Sequence, residues 1–316
     1  MLAYLLRRFV FAVLLVFTVS SAALILVRLA PGDYADTAAA PGTSREVKDQ
    51  MRARLGLKRS VAEQYGTWVA DAVRLDFGRS MMYGSPVKGL VREGAINTAI
   101  LAATALVAAT LIGLPLGIIS GSRRGPLADT IRTVSIVLLS LPPLLSSLVL
   151  LAVAAGTGWL PVGDMRSAGG AAWPLLDLLR HLIVPATALA LPIAAMFERM
   201  QSQAMAEVVG QPYVLAAFAR GIPRARIVWR DALKPALRPA AAVYGLVVGA
   251  LLSGSFAVEA VTSWPGLGVL MLDALRARDL YLVAGCAAAG SVFLAIGTIV
   301  SDIALVLVDP RAVEAG

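Results

Sequence analysis

The sequence predicts an all-α polytopic membrane protein, with six transmembrane helices and a helical external segment after the first. Three observations carry that expectation. Hydrophobic residues make up 58% of the chain and charged residues 15%, with mean hydropathy +0.78, whereas a soluble domain is nearer half apolar and a quarter charged. Apolar runs of spanning character recur at about 9–30, 95–119, 131–155, 182–197, 240–260 and 281–308. Threaded as six spans, they put Arg7-Arg8, Arg123-Arg124, the basic stretch 199–238 and Arg311 all on one side, which the positive-inside rule makes the cytoplasm. Both termini are then cytoplasmic.

The first run, to residue 30, is too long for a signal peptide and lacks a clean small-x-small cleavage site; it reads as the first span. Arg28 near its far end is expected to snorkel. Residues 31–92 are polar and mixed. Helical spacing marks Ser44–Leu55 (Val47, Met51, Leu55) and Val61–Leu75 (Tyr65, Trp68, Val69, Val73), with Gly56, Gly78 and Gly84-Ser85-Pro86 as punctuation. This segment is long enough to be outside despite its basic residues.

The remaining spans form a core over 93–308. The third contains Pro142-Pro143 and the fourth Pro185 and Pro192; proline within a span is tolerated where neighbours satisfy the freed backbone groups. The fifth carries Gly245 and Gly249, a spacing that lets helices approach closely. A short external helix is expected from about Leu267, and residues 309–316 form a cytoplasmic tail.

Several functions are excluded by counting. Lys occurs only at 48, 58, 88 and 234, never after Gly, so no GxxxxGK[ST] phosphate loop exists and ATP cannot bind in that way. One Cys and one His rule out a cysteine-built metal site and HExxH. The net charge of +8 follows from the inside-positive bias without any nucleic acid.

The stretch 200–239 departs most from its surroundings. Counting from Arg199 it carries seven basic residues against Glu207 and Asp231. Pro212 and Gly221 bracket one short helix, as Pro at the start and Gly past the end do. Pro223 opens a second that Pro235 should stop. Within it Arg226, Arg230, Lys234 and Arg238 recur every four residues. An apolar-aromatic side (Tyr213, Phe218, Trp229) is expected opposite a basic side. A charge tether alone would not need two capped helices around one glycine.

Taken in order, several segments resemble a known family: LLRRFVFAVLLVFTVSSAALILVRLAPGD, RLGLKRSVAEQY, LDFGRS, SLPPL, GWLPVG, HLIVPATALALP, EVVGQPYVLAAFARGIPRARIVWRDALKPALRP, VEAVTSWPGLGVLMLDALRARD and a terminal DPR. Their order and spacing resemble the inner-membrane permease subunits of ABC importers of the dipeptide/oligopeptide (peptide/nickel) class, the "B"-type partner. The resemblance covers nearly the whole chain. It implies a type I importer permease fold in the bacterial plasma (inner) membrane, half of a translocation pathway, and no catalysis in this chain. It implies as partners a homologous second permease, two ABC ATPase subunits that bind ATP and Mg, and an extracytoplasmic substrate-binding protein. The 200–239 stretch then corresponds to the EAA-type coupling loop, with Tyr213, Ala216, Ala217, Arg220, Gly221, Pro223, Trp229 and Arg230 as the residues expected to meet the ATPase. It departs from the general pattern at Leu215, where Glu is usual, at Pro212 for Asp, and at Ser202 for Arg.

Short peptides are the expected cargo; nickel, glutathione and oligosaccharides are carried by the same class. Pro142, Pro143 and Pro192 either kink helices around the pathway or are merely tolerated. Glu259 either pairs with Arg276 or Arg278 or lines the external mouth. Asp302 is expected to be structural, His181 an interfacial cap where span four opens, and Cys286 a small packing residue. An ion-coupled transporter would want mid-membrane acids and inverted repeats, and a membrane hydrolase a facing Ser or Asp pair; neither pattern is present.

Overall fold

The computed structural model describes residues 2–308 save 41, 168 and 171, and their side chains save those of 2–5, 253, 301, 302 and 304–308. The Asp302 side chain and Asp309-Pro310-Arg311, both singled out above, lie outside the described residues. The described fold is helical. Five helices are long and apolar enough to cross a membrane, and a sixth span is made if one bent pair counts as one. The chain divides into two compact units, residues 1–98 with 265–295 and residues 99–264 with 296–316.

The first unit begins with α1 (Leu2–Leu29). Three short helices follow: α2 (Tyr34–Ala38), α3 (Arg45–Arg54) and α4 (Val61–Val73). Asp33, Ser44 and Ser60 cap them by accepting from the N–H three residues on. At α2 and α4 the acids Asp36 and Glu63 reach back to complete capping boxes. Trp68 and Tyr65 of α4 pack with Leu24 of α1, and the Tyr65 hydroxyl meets Ser21 Oγ at 3.1 Å. Arg28 does not snorkel to water. Its guanidinium donates to the Leu57 carbonyl at 3.0 Å, because the polar segment folds back over the end of α1 and offers a nearer partner.

The same unit holds α13 (Leu267–Ala277), the start of α5 (Val87–Ser122) and most of α14 (Leu280–Val308). Asp279, wholly buried in the α13–α14 turn, accepts from Ser80 Oγ (2.6 Å), Met82 N (3.0 Å) and Leu282 N (3.2 Å). One carboxylate thus caps α14 and fastens the 78–84 turn to it. Cys286 is buried among Val87, Leu267 and Leu282, a packing residue as the sequence suggests.

The second unit is centred on α8 (Pro174–Val209), which packs with α6 (Pro126–Leu139), α7 (Pro143–Thr157) and α12 (Arg238–Thr262). Its core gathers Leu101, Leu189, Phe197, Leu251 and Trp264. The third apolar run is not one helix. It breaks at Ser140–Pro142, and α6 and α7 meet at 101°. Pro142 has no N–H to continue α6 and drives Leu141 out of the helical region, while Pro143 is well placed as the first residue of α7. His181 does not open span four. The helix starts at Trp173-Pro174, so His181 lies two turns inside, 7% exposed, with Nδ1 2.8 Å from the Asp177 carbonyl.

A close helix contact in this unit runs along three glycines of α5 that the sequence analysis did not single out. A Cβ built on Gly113, Gly117 or Gly121 of α5 would lie 2.4 Å from the Ala194 carbonyl, 2.6 Å from that of Glu198 and 2.3 Å from that of Ser202. Only glycine permits backbone against backbone over these turns.

Candidate functional site

The basic stretch folds as the sequence predicts at its first helix and differently at its second. Helix α9 runs Pro212–Ala219, and Gly221 after it has φ +75°, a left-handed conformation that glycine adopts without a Cβ penalty. The chain then runs through α10 (Arg224–Arg226), a π-helical stretch Ile227–Ala232 and α11 (Leu233–Ala236), and into α12 at Arg238. Pro235 does not stop this second helix. In an α-helix its missing N–H and its ring would fall against the Asp231 carbonyl; the wider π turn just before it relieves that clash and lets the helix continue.

Two clusters seat the loop. Val214 and Ala217 of α9 pack with Ile227, flanked by Phe218, Ile222 and Val208. Val228, Ala232 and Ala236 pack on Met205 of α8 and Ile118 of α5. Arg224 donates to the carbonyl of Ser122, and Arg132 of α6 donates to that of Ser120 at 2.6 Å. Two otherwise orphaned carbonyls at the end of α5 are thereby capped by guanidinium groups, one of them from the loop itself.

The residues expected to make contact divide on burial. Tyr213, Ala216, Arg220, Gly221, Pro223, Trp229 and Arg230 are exposed, Tyr213 by 50% and Trp229 by 58%. Ala217 faces inward at 5% exposure, so its part is to seat α9. Tyr213, Phe218 and Trp229 do not form one aromatic side, because Phe218 turns into the cluster under α9. Arg226, Arg230, Lys234 and Arg238 are all exposed.

Beside the loop α8 carries a buried carboxylate. Glu198 is 1% exposed and accepts from Ser120 Oγ at 2.5 Å. It lines a cavity of about 210 Å³ with Arg132, Ser135, Arg199 and Ser202. One turn on, the Gln201 amide is buried with no hydrogen-bond partner among the described residues. The sequence reading passed over Glu198, although it follows directly on an apolar run of sixteen residues. Of the pathway candidates, Pro143 lies close to Gly254 of α12, which Leu189 of α8 also approaches, and Pro192 is three residues beyond Leu189. Glu259 is fully buried in the last turn of α12, where its carbonyl accepts from Trp264 N at 3.0 Å. Arg278 donates to the Gly32 carbonyl at 3.2 Å.

Apolar helices long enough to cross a membrane, two of them joined by a basic helical loop that is packed onto their ends, are the build of a membrane transport subunit. The chain belongs to the binding-protein-dependent transport system inner membrane components. That family's model matches residues 113–314, and the model of its N-terminal region matches residues 1–87. Within it the chain is an ABC importer permease of the peptide class. Over 314 residues it is 29% identical to the oligopeptide transport system permease protein AppB of Bacillus subtilis, covering 98% of this chain and 99% of that one. It is 31% identical over 316 residues to a putative peptide permease protein of Brucella ovis, with the same coverage. It is 31% identical over 281 residues to the glutathione transport system permease protein GsiC of Escherichia coli K12, covering 88% of each.

Proposed function

We propose that this permease forms half of the pathway of an ATP-driven importer of short peptides in the bacterial plasma membrane, with both termini cytoplasmic. A homologous permease supplies the other half, and an external substrate-binding protein delivers the cargo. Two ATPase subunits, which hold ATP and Mg, dock on the 200–239 loop. The peptide cargo is favoured by relatives named for oligopeptide, peptide and glutathione, the last itself a short peptide.

The observation that carries the coupling role is α9. Its inner side is fixed by Val214 and Ala217, its end is set by Gly221, and its outer side, Tyr213, Leu215, Ala216 and Arg220, is exposed. An apolar helix face held in one orientation suits helix-in-groove recognition. The test is Ala216→Trp in cells expressing the whole importer. The residue is exposed, so folding and membrane level should be unchanged, while ATPase recovery on pull-down and peptide uptake should both be lost. Normal uptake with the ATPases still bound would refute the assignment.

A further inference from the structure

A second cavity, of about 190 Å³, lies between the end of α5 and the second helix of the loop. Ile118, Ile119 and Arg123 line it from α5, and Arg224, Val228 and Trp229 from the loop. No acidic side chain lines it. We infer that this cavity is a binding site for one anionic phospholipid, with the phosphate on the two arginines and the first part of an acyl chain against the isoleucines and the indole.

Three features support that occupant over others. The apolar run of α5 ends at Ile119, and Arg123-Arg124 follow, so the cavity sits where hydrocarbon gives way to headgroups. Its apolar and basic walls are ordered in the same sense as a lipid, with the indole at the level aromatic residues favour. Arg224 spends one nitrogen on the Ser122 carbonyl, which aims the guanidinium and leaves its other N–H groups for a phosphate. Arg123 is exposed and bonded to nothing among the described residues. The inference stands apart from the docking role of α9, since lipid retention by the permease needs no ATPase.

The experiment is native mass spectrometry of the intact permease titrated with phosphatidylglycerol, phosphatidylcholine or inorganic phosphate. One phosphatidylglycerol per chain should bind at least tenfold tighter than phosphatidylcholine, and phosphate alone should bind weakly. Arg123→Gln should weaken phosphatidylglycerol about fivefold, the worth of one basic residue at a membrane surface, and Arg123→Gln with Arg224→Gln more than that. Phosphatidylcholine binding should not change. Arg123→Gln alone touches no packed contact, so it keeps the test valid if the double variant misfolds. Equal affinity for the two lipids, or wild-type affinity in Arg123→Gln, would overturn the site. So would displacement of the lipid by the docked ATPases, which would make the cavity a protein interface.

Discussion

Gly221 shows what one residue can decide here. Nothing lies within 4 Å of a Cβ built on it, yet its φ is +75°, so a substitution meets backbone strain and no steric neighbour. That strain is on the order of 1 kcal/mol for a non-glycine residue, and β-branching adds to it. Gly221→Val should therefore leave the protein in the membrane, re-aim α9, abolish uptake and weaken ATPase recovery, with Gly221→Ala milder; uptake assays and pull-downs on the same membranes check it. Asp279 is the opposite case, since its cost is all in partners. Asp279→Ala leaves a hydroxyl and two N–H groups unpaired in a buried turn, on the order of 3 kcal/mol, and should lower thermal stability, whereas Asp279→Asn keeps part of the set. Arg52 binds Asp33, Asp36 and Asp49 at 2.7, 2.8 and 3.1 Å, and Asp33 is first among the causes that raise its pKa. Desolvation acts to raise the Asp36 pKa, but the Asp33 N–H, Arg52 and Lys48 together hold it below the usual value of 3.8. A lowered folded pKa means stabilisation present above pH 3.8 and lost as pH falls through the folded value. Amide protection factors in residues 33–54 should accordingly fall below about pH 3.8, and Arg52→Gln should lower them at neutral pH and weaken that dependence, with the Asp33 N–H and Lys48 still in place. The sequence shows the glycine through its place after a short run opened by Pro212, but Asp279 depends on Ser80 and Met82, some two hundred residues away, and Arg52 on Asp33 and Asp36 outside its own helix, which no helical period reveals.

Among elements, legibility followed periodicity. Helices α3 and α4 stand within a residue or two of the spacing that marks Ser44–Leu55 and Val61–Leu75, and α9 starts at Pro212 as expected, because side-chain period and a first-turn proline are local signals. The third span and the second loop helix differ because proline has two outcomes. At Pro142-Pro143 the helix breaks, and α6 and α7 pack on α8 as separate pieces. Before Pro235 a buried row, Val228, Ala232 and Ala236, holds the helix on α8, and the backbone widens into a π turn. Which outcome wins depends on packing, which a single sequence does not display. The α5–α8 seam was legible and passed over: Gly113, Gly117 and Gly121 have the same spacing as Gly245 and Gly249. Backbone contact at three successive turns ties the neighbouring halves of α5 and α8 together, so under the proposed coupling role the loop has two routes to α5, through α8 and through Arg224. Gly117→Leu would drive a side chain into the Glu198 carbonyl and the Gln201 stem, overpacking that costs typically 1–3 kcal/mol. Uptake should fall while ATPase recovery stays normal, because α9 is untouched; loss of both would place the damage in folding rather than in transmission.

At the scale of the whole molecule, the class was legible because membrane solvent imposes its rules on every span and the ordered motifs leave little choice of family. Sidedness follows from charge, and the α6–α7 break puts it to a test. If the bent pair crosses the membrane, α1, α5, the pair and α8 make four crossings before the loop, and Ala225 lies on the same side as the N-terminus. If the pair instead re-enters and returns, only three crossings precede the loop, and Ala225 lies with Ser60 on the opposite face. Charge distinguishes the two. The exposed Arg226, Arg230, Lys234 and Arg238 belong with Arg7-Arg8 and Arg123-Arg124 under the positive-inside rule, and only four crossings put them together. A reporter fused after Ser60 should therefore be external and one fused after Ala225 cytoplasmic. Finding both on one face would make the 101° pair a re-entrant loop and leave five spans, with the basic loop facing away from any cytoplasmic ATPase.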